Sequence, residues 1–475
     1  MWRRLVVVAG LALLASGCMP QKAPTTLGYH KQSCSFAYIG LKGIECGTMV
    51  VEETRGKANG RTVALPVVIV RAQAADKKAD PVIFLHGGPG GEVVSGLPFR
   101  LRRKPSLVTD DRDWIFFDQR GTGKSTPSLD CGEAPLSDAG VTSDAGVAEL
   151  QACGRKLAAQ GIDLTQYNSA VIAQDIRDIR QALGVKTYNL YGGSYGTRVA
   201  MAVMQHDPAD LRAVVLNSTW PPEANATAPL PGLVSREVRQ VLAYCAADSV
   251  CNGKYPDLAA RFDTRLRQWL TTSVSDKDQT YTADAVGAFL LDQIYSPDGA
   301  SALPTTIDKL LTGDYKALGK FVKAQAGYTE GQFFTTLCRE EFGFEDPAAL
   351  DAVDANDPIA VAVARDTRRF FAVCQAFATG KGDAVENQAL VSDIPTLMLS
   401  ADIDAGCPAE LSEETVKGLS KGRNYFFPNR THTIAGGSTC AKALVAQFLK
   451  TADANVDASC IKTDRPKFPF VYDGK

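Results

Sequence analysis

The run Gly192-Gly193-Ser194-Tyr195-Gly196 carries a serine flanked by glycines. A serine hydroxyl attacks only when a base takes its proton, and Gly-x-Ser-x-Gly between a strand and a helix projects that hydroxyl on a sharp turn. Glycine is needed on both sides, because the serine backbone is strained there and the strand and helix pass too close for side chains. In isolation the same five residues mark only a glycine-rich turn, so nucleophilic chemistry rests on what accompanies them.

The chain has four histidines from which a base can come. His30 lies near the start, His86 belongs to a glycine loop, and His206 ends the helix behind the serine, facing away from its hydroxyl. His432 remains, in Pro428-Asn429-Arg430-Thr431-His432 after a strand-like run, where a loop presents a general base. An acid to orient its imidazole follows the run Ile394 to Ser400, as Asp402 or Asp404. The order Ser, Asp, His suits a serine on a strand-to-helix turn.

Attack on an acyl carbon also develops an oxyanion. His86-Gly87-Gly88-Pro89-Gly90-Gly91 follows a buried strand and can aim backbone N–H groups at it; Gly88 and Tyr195 are the expected donors. Each such donor is worth about 3–4 kcal/mol. His86 itself is read as structural, packing under the loop and bonding to backbone. Asp118-Gln119-Arg120-Gly121-Thr122-Gly123-Lys124-Ser125 imitates a phosphate loop but has Asp118 where the first glycine must stand, so it is expected to buttress the site loops. Chemistry of this kind, attack followed by hydrolysis of an acyl-enzyme, calls for no metal or organic cofactor.

The elements that must position these residues follow from periodicity. Val82 to Leu85 and Trp114 to Phe117 read as buried strands. Val171, Ile172, Ile176, Ile179 and Leu183 share one helical face that Gly184 ends. A strand from Thr187 to Tyr191, a helix from Thr197 to Gln205 and a strand from Ala213 to Leu216 complete a βαβ pattern and a mostly parallel sheet. After a proline-rich stretch the strand rhythm is lost to about Leu390, which is read as an inserted helical cap. Strands resume at Ile394 to Ser400 and Asn424 to Phe427, followed by a helix from about Thr439 to Leu449.

Together, His-Gly-Gly-Pro-Gly-Gly, Asp-Gln-Arg-Gly-x-Gly-x-Ser and Gly-Gly-Ser-Tyr-Gly-Thr resemble the proline iminopeptidase and tripeptidyl aminopeptidase family. Tyr195 after the serine is similar to the tripeptidyl branch, as is the C-terminal region. The resemblance implies an α/β-hydrolase fold whose parts are a core over 18–220, a helical cap over 221–390 and a second core segment over 391–475. It favours Asp404 over Asp402 by register, giving Ser194, Asp404 and His432 as the triad. It further implies an aminopeptidase in which cap carboxylates hold the substrate ammonium, and Cys338-Arg339-Glu340-Glu341 is the matching segment, Glu340 first and Glu341 second. Departures fall at Ala405-Gly406-Cys407-Pro408 after Asp404, at the residue before His432, and at Phe377, where the family carries Trp; they bear on specificity more than on the triad. A carboxylesterase or lipase on the same triad is the alternative, and a non-catalytic envelope lipoprotein the third reading.

A net charge of -2 with scattered cations offers no stripe for phosphates, so nucleic acid is not an expected partner; a peptide with a free N-terminus is. Of the twelve cysteines none forms a Cys-x-x-Cys pair, and disulfides are their expected use. Proximity or the family resemblance pairs Cys34 with Cys46, Cys131 with Cys153, Cys245 with Cys251, Cys338 with Cys374 and Cys440 with Cys460. Cys407 is left over as a buried inert thiol. At the start, Arg3 and Arg4 precede an apolar run from Leu5 to Ala15, an export signal over 1–17 too short to span a bilayer, which needs about 20 helical residues. Ala15-Ser16-Gly17-Cys18 resembles a bacterial lipobox, implying a lipid on Cys18 and a place in the cell envelope, on the periplasmic side or the outer membrane. Cells fed labelled palmitate are expected to label the wild-type chain and not Cys18→Ala; equal labelling would leave Cys18 without a lipid.

Overall fold

Continuous apolar runs such as Val82 to Leu85 and Trp114 to Phe117 suit strands covered on both faces, and they become the centre of a nine-stranded sheet. The computed structural model describes residues 24–472 apart from 58–59, 105–106, 133–140, 142, 277–278 and 324–326. The expected export signal and Cys18 lie outside the described residues.

In chain order the strands are β1 (Gly28–Gln32), β2 (Ile44–Glu52), β3 (Thr62–Val70), β4 (Val82–Leu85), β5 (Trp114–Phe117), β6 (Tyr188–Gly193), β7 (Leu211–Asn217), β8 (Val274–Asp276), β9 (Gln279–Tyr281), β10 (Thr396–Ile403) and β11 (Gly422–Thr431). The large sheet runs β1-β2-β3-β5-β4-β6-β7-β10-β11. From β5 to β11 every neighbour is parallel, while β1, β2 and β3 join antiparallel. Periodicity from Pro81 onward captured the parallel part; the three leading strands are an addition.

Helices α1 (Leu97–Arg103), α2 (Asp144–Ala159), α3 (Ser169–Ala182) and α4 (Tyr195–His206) cover the sheet. Alternation along β4 divides its faces: Ile83 and Leu85 join Ile172, Ile176 and Val199 in one core, whereas Val82 packs with Leu97, Leu101 and Phe448 in another. Asn168 caps α3 by accepting from the Val171 N–H, satisfying a donor the helix cannot.

Between β7 and β10 come α5 (Leu230–Ala247), α6 (Ser249–Lys254), α7 (Leu258–Trp269), α8 (Ala283–Tyr295), α9 (Pro297–Thr312), α10 (Lys316–Phe321), α11 (Glu330–Glu340) and α12 (Pro358–Cys374). Most of them bury a core of their own, with Val234, Phe262, Phe289 and Leu303 at its centre, while Phe334 and Leu337 of α11 join the core beneath the sheet. The segment also holds the β8–β9 hairpin, too short for its alternation to register in the sequence. All five expected disulfides form, and Cys407 is free and buried.

The loop after β5 is anchored as a buttress. Arg120 is fully buried and grips both oxygens of Asp175 on α3, at 2.7 Å each, while donating to the Glu53 and Gln166 carbonyls. Asp118 accepts from the Val93, Val94 and Lys124 N–H groups, and Gln119 donates to the His86 carbonyl. Removing one partner of a buried ion pair strands the other. Asp175→Ala is therefore expected to lower stability by about 3–5 kcal/mol in urea unfolding; a loss below about 1 kcal/mol would show that this loop is held by other contacts.

Candidate functional site

Ser194 stands between the end of β6 and the start of α4 with φ 56° and ψ -129°, a left-handed conformation that a side chain adopts only under constraint. Its N–H donates to the Asn217 carbonyl at 3.0 Å, and its own carbonyl accepts from Thr197. Glycine is obligatory nearby: a Cβ on Gly192 would strike the Gly196 carbonyl, and one on Gly196 the Leu85 carbonyl. The close approach of strand and helix expected from the sequence is thus present in the structure.

The loop after β11 brings His432 to the same place. Its Nδ1 lies 2.7 Å from Asp404 Oδ1, and Asp404 also accepts from the Cys407 N–H at 3.1 Å. Asp402 is occupied elsewhere, accepting from Tyr244 Oη and the Arg430 N–H. Ser194 and His432 share the walls of two cavities, and the His432 ring nitrogen not bonded to Asp404 is Nε2. The Cys407 thiol reaches Ser194 from the cap side, and burial, reinforced by the Asp404 charge, pushes its pKa far up and keeps it a thiol. The donor atoms of Asp404, Cys407 and His432 lie within 4.8 Å of one another, but two of the three residues are already joined by a hydrogen bond. Tyr295 stacks edge-on against the imidazole at 4.9 Å.

Gly88 lines both cavities beside Ser194, and Tyr195 opens α4, where an N–H has no acceptor within the helix. The neighbouring Gly87 passes so near that a Cβ there would sit 2.8 Å from the Ser194 Cβ. His86 Nδ1 bonds to the Gly87 carbonyl. His30 bonds to the Thr26 carbonyl, and His206 lies beside Arg198 and Glu340, away from the Ser194 hydroxyl.

Glu340 and Glu341 require a correction. They do not line the cavity at Ser194; both are buried around Arg198 of α4. Glu340 lies 3.1 Å from Arg198 Nε and accepts from Ser169 N and Oγ, while Glu341 pairs with Arg198 and accepts from the Ala226 N–H. Burial raises both carboxyl pKa values against the pull of Arg198. Every lone pair aimed at a donor of the chain is one not offered to a ligand. The acid that does face the cap cavity is Asp292 of α8, beside Tyr295 and Ser296, with Gln293 donating to it at 3.0 Å. Nothing in the sequence sets it apart from Asp284 on the same helix.

A family model described as alpha/beta hydrolase fold matches residues 80–437, and the chain belongs to that family. It is 26% identical over 195 residues to serine protease Hip1 of Mycobacterium tuberculosis, spanning 38% of this chain and 37% of that one. It is 29% identical over 212 residues to tripeptidyl aminopeptidase of Streptomyces lividans, spanning 41% and 39%. It is also 28% identical over 148 residues to proline iminopeptidase of Xylella fastidiosa, spanning 31% and 35%. The chain thus matches well under half the length of these relatives. Among solved structures, proline iminopeptidase of Mycobacterium smegmatis aligns with a TM-score of 0.41 at 15% identity, covering 86% of this chain and 98% of that one. The relatives support a hydrolase of peptidase type.

Glu237 of α5 adds a pH dependence. It is buried with Oε2 unpartnered, as is Asp404 Oδ2, and burial followed by the Asp404 charge pushes its pKa up to about 9. The folded chain therefore holds a proton that the unfolded chain releases near pH 4.5, so this group's stabilisation is complete at low pH and is lost as pH rises toward 9. Relative to wild type, Glu237→Gln is expected to gain in melting temperature between pH 5 and pH 9. A difference that stays flat with pH would mean that Glu237 titrates normally.

Proposed function

We propose that this member of the alpha/beta hydrolase fold family is a serine exopeptidase acting at free peptide N-termini, with Ser194, His432 and Asp404 as its triad. The observation that carries the reading is the 2.7 Å link from His432 Nδ1 to Asp404, beside a serine held at positive φ. His432 Nε2 takes the hydroxyl proton as Ser194 Oγ attacks the carbonyl carbon, and Asp404 holds the tautomer and steadies the imidazolium. The N–H groups of Gly88 and Tyr195 receive the oxyanion. The proton passes to the leaving amine, the C–N bond breaks, and water then hydrolyses the acyl-enzyme by the same route in reverse.

The cap cavity, about 450 Å³, receives the N-terminal portion of the substrate. Aromatic walls at Trp220, Phe333 and Phe370 take its side chains, and Asp292 faces its ammonium. The same apolar walls favour a second reading, a carboxylesterase, because an acyl chain would bury well there. Five disulfides support an oxidising compartment, in keeping with export and a lipid on Cys18.

Free-amine aminoacyl and tripeptidyl anilides are expected to exceed their N-acetylated forms about a hundredfold in kcat/KM, equivalent to about 2.7 kcal/mol. Ser194→Ala should abolish both turnover and labelling by a fluorophosphonate. Asp292→Asn should weaken free-amine anilides far more than simple esters. Esters cleaved well while every anilide is refused would establish the carboxylesterase instead.

A further inference from the structure

The cap cavity is not the only one that reaches Ser194. A second, of about 520 Å³, opens on the other side of Ser194 and His432, within the size range of small-ligand sites. Its walls are aromatic, from Phe84, Trp114, Phe116 and Tyr191. Its outer end carries Arg100 and Lys442, which it shares with an adjoining cleft of about 610 Å³ bearing Arg103 and Lys104. One acid, the exposed Glu92, also lines it and accepts from Ser95.

These cations have no carboxylate of their own. Among the described residues, none of Arg100, Arg103, Lys104 and Lys442 makes an ion pair, whereas most arginines of this chain do. They are also near one another: burial, then the charges of Lys104 and Arg100, lowers the pKa of Lys442, and burial lowers that of Arg100. Gathering unpaired positive charge beside an apolar hollow costs stability unless an anion joins it, and such a field draws anions in.

The two cavities differ in sign, with Asp292 on the cap side and Arg100 and Lys442 on the other, and the nucleophile lies between them. A short peptide carries an ammonium at one end and a carboxylate at the other. We propose that the second cavity is the leaving-group subsite and that Arg100 and Lys442 bind the C-terminal carboxylate, making the preferred substrates short peptides with both ends free. This rests on the aminopeptidase reading and gives the bound peptide a direction. When Ser194 Oγ bonds to the carbonyl carbon, the C–N bond breaks toward the basic cavity. The serine proton goes through His432 to the departing nitrogen, and the amine product, its carboxylate held at Arg100 and Lys442 during cleavage, then leaves so that water can enter and hydrolyse the acyl-enzyme.

The test compares tetra-alanine with its C-terminal amide, alongside a free-amine anilide. Wild-type enzyme should prefer the acid at least about tenfold in kcat/KM, and the preference should shrink as salt rises. In Arg100→Gln/Lys442→Gln the acid-to-amide ratio should fall to within about twofold of unity, with the melting temperature showing that the variant is folded. Should the double variant fail to fold, Lys442→Gln alone should cut the ratio at least about threefold. Equal rates for acid and amide in the wild type, or an unchanged ratio in the variants, would overturn the proposal. If the anilide is cleaved in that case, only the subsite is lost; if neither anilide nor peptide is cleaved while esters are, the aminopeptidase reading itself has failed.

Discussion

Ser194 occupies a backbone conformation costing about 1–3 kcal/mol, and much of the molecule is arranged so that it has no other choice. Its N–H is tied to Asn217 on the neighbouring strand, its carbonyl to Thr197 in the helix that follows, and Gly192 and Gly196 let strand and helix close to contact. Relaxing the turn would break hydrogen bonds in both layers at once. Strain in a single residue is therefore sustained by the parallel part of the sheet, and Ser194 stands at the C-terminal end of its central strand β6, where loops can reach it.

Those loops are held by buried charge. Arg120 and Asp175 pin the segment whose neighbours Asp118 and Gln119 set the glycine loop. Arg198, one turn after the nucleophile, clasps Glu340, the Glu341 carboxylate and the Pro222 carbonyl, so that the helix bearing the serine and the end of α11 in the cap share one guanidinium. The carboxylates expected to greet a substrate instead fasten the lid above it. All three groups are buried, so removing any one of them would strand charge between the cap and the helix bearing Ser194.

The two cavities then share the reaction centre between an acidic apolar side and a basic aromatic side. Ser194 and His432 line both, and under the proposed reading the sign of each cavity is what would distinguish one substrate from another.

How much was legible in the sequence depended on the distance over which each constraint acts. The serine turn, the glycine loop, the strands from Pro81 onward and the placing of His432 beside that turn were readable, since steric demands between adjacent residues and the scarcity of histidine leave few solutions. Asp404 needed a family register to separate it from Asp402, two residues away and of the same chemistry; the structure separates them by partners, Tyr244 and Arg430 for one, His432 for the other. Which carboxylate faces the cap cavity could not be read at all. Glu340, Glu341 and Asp292 are all acids on helical segments, and the choice among them is made by how the cap helices lie over α4, where Arg198 captures two. The sequence by itself determined the glycine-flanked turn at Ser194, because that follows from local geometry; the tertiary structure alone decided which carboxylates are buried in pairs and which face a cavity, because desolvation and pairing depend on neighbours more than a hundred residues apart.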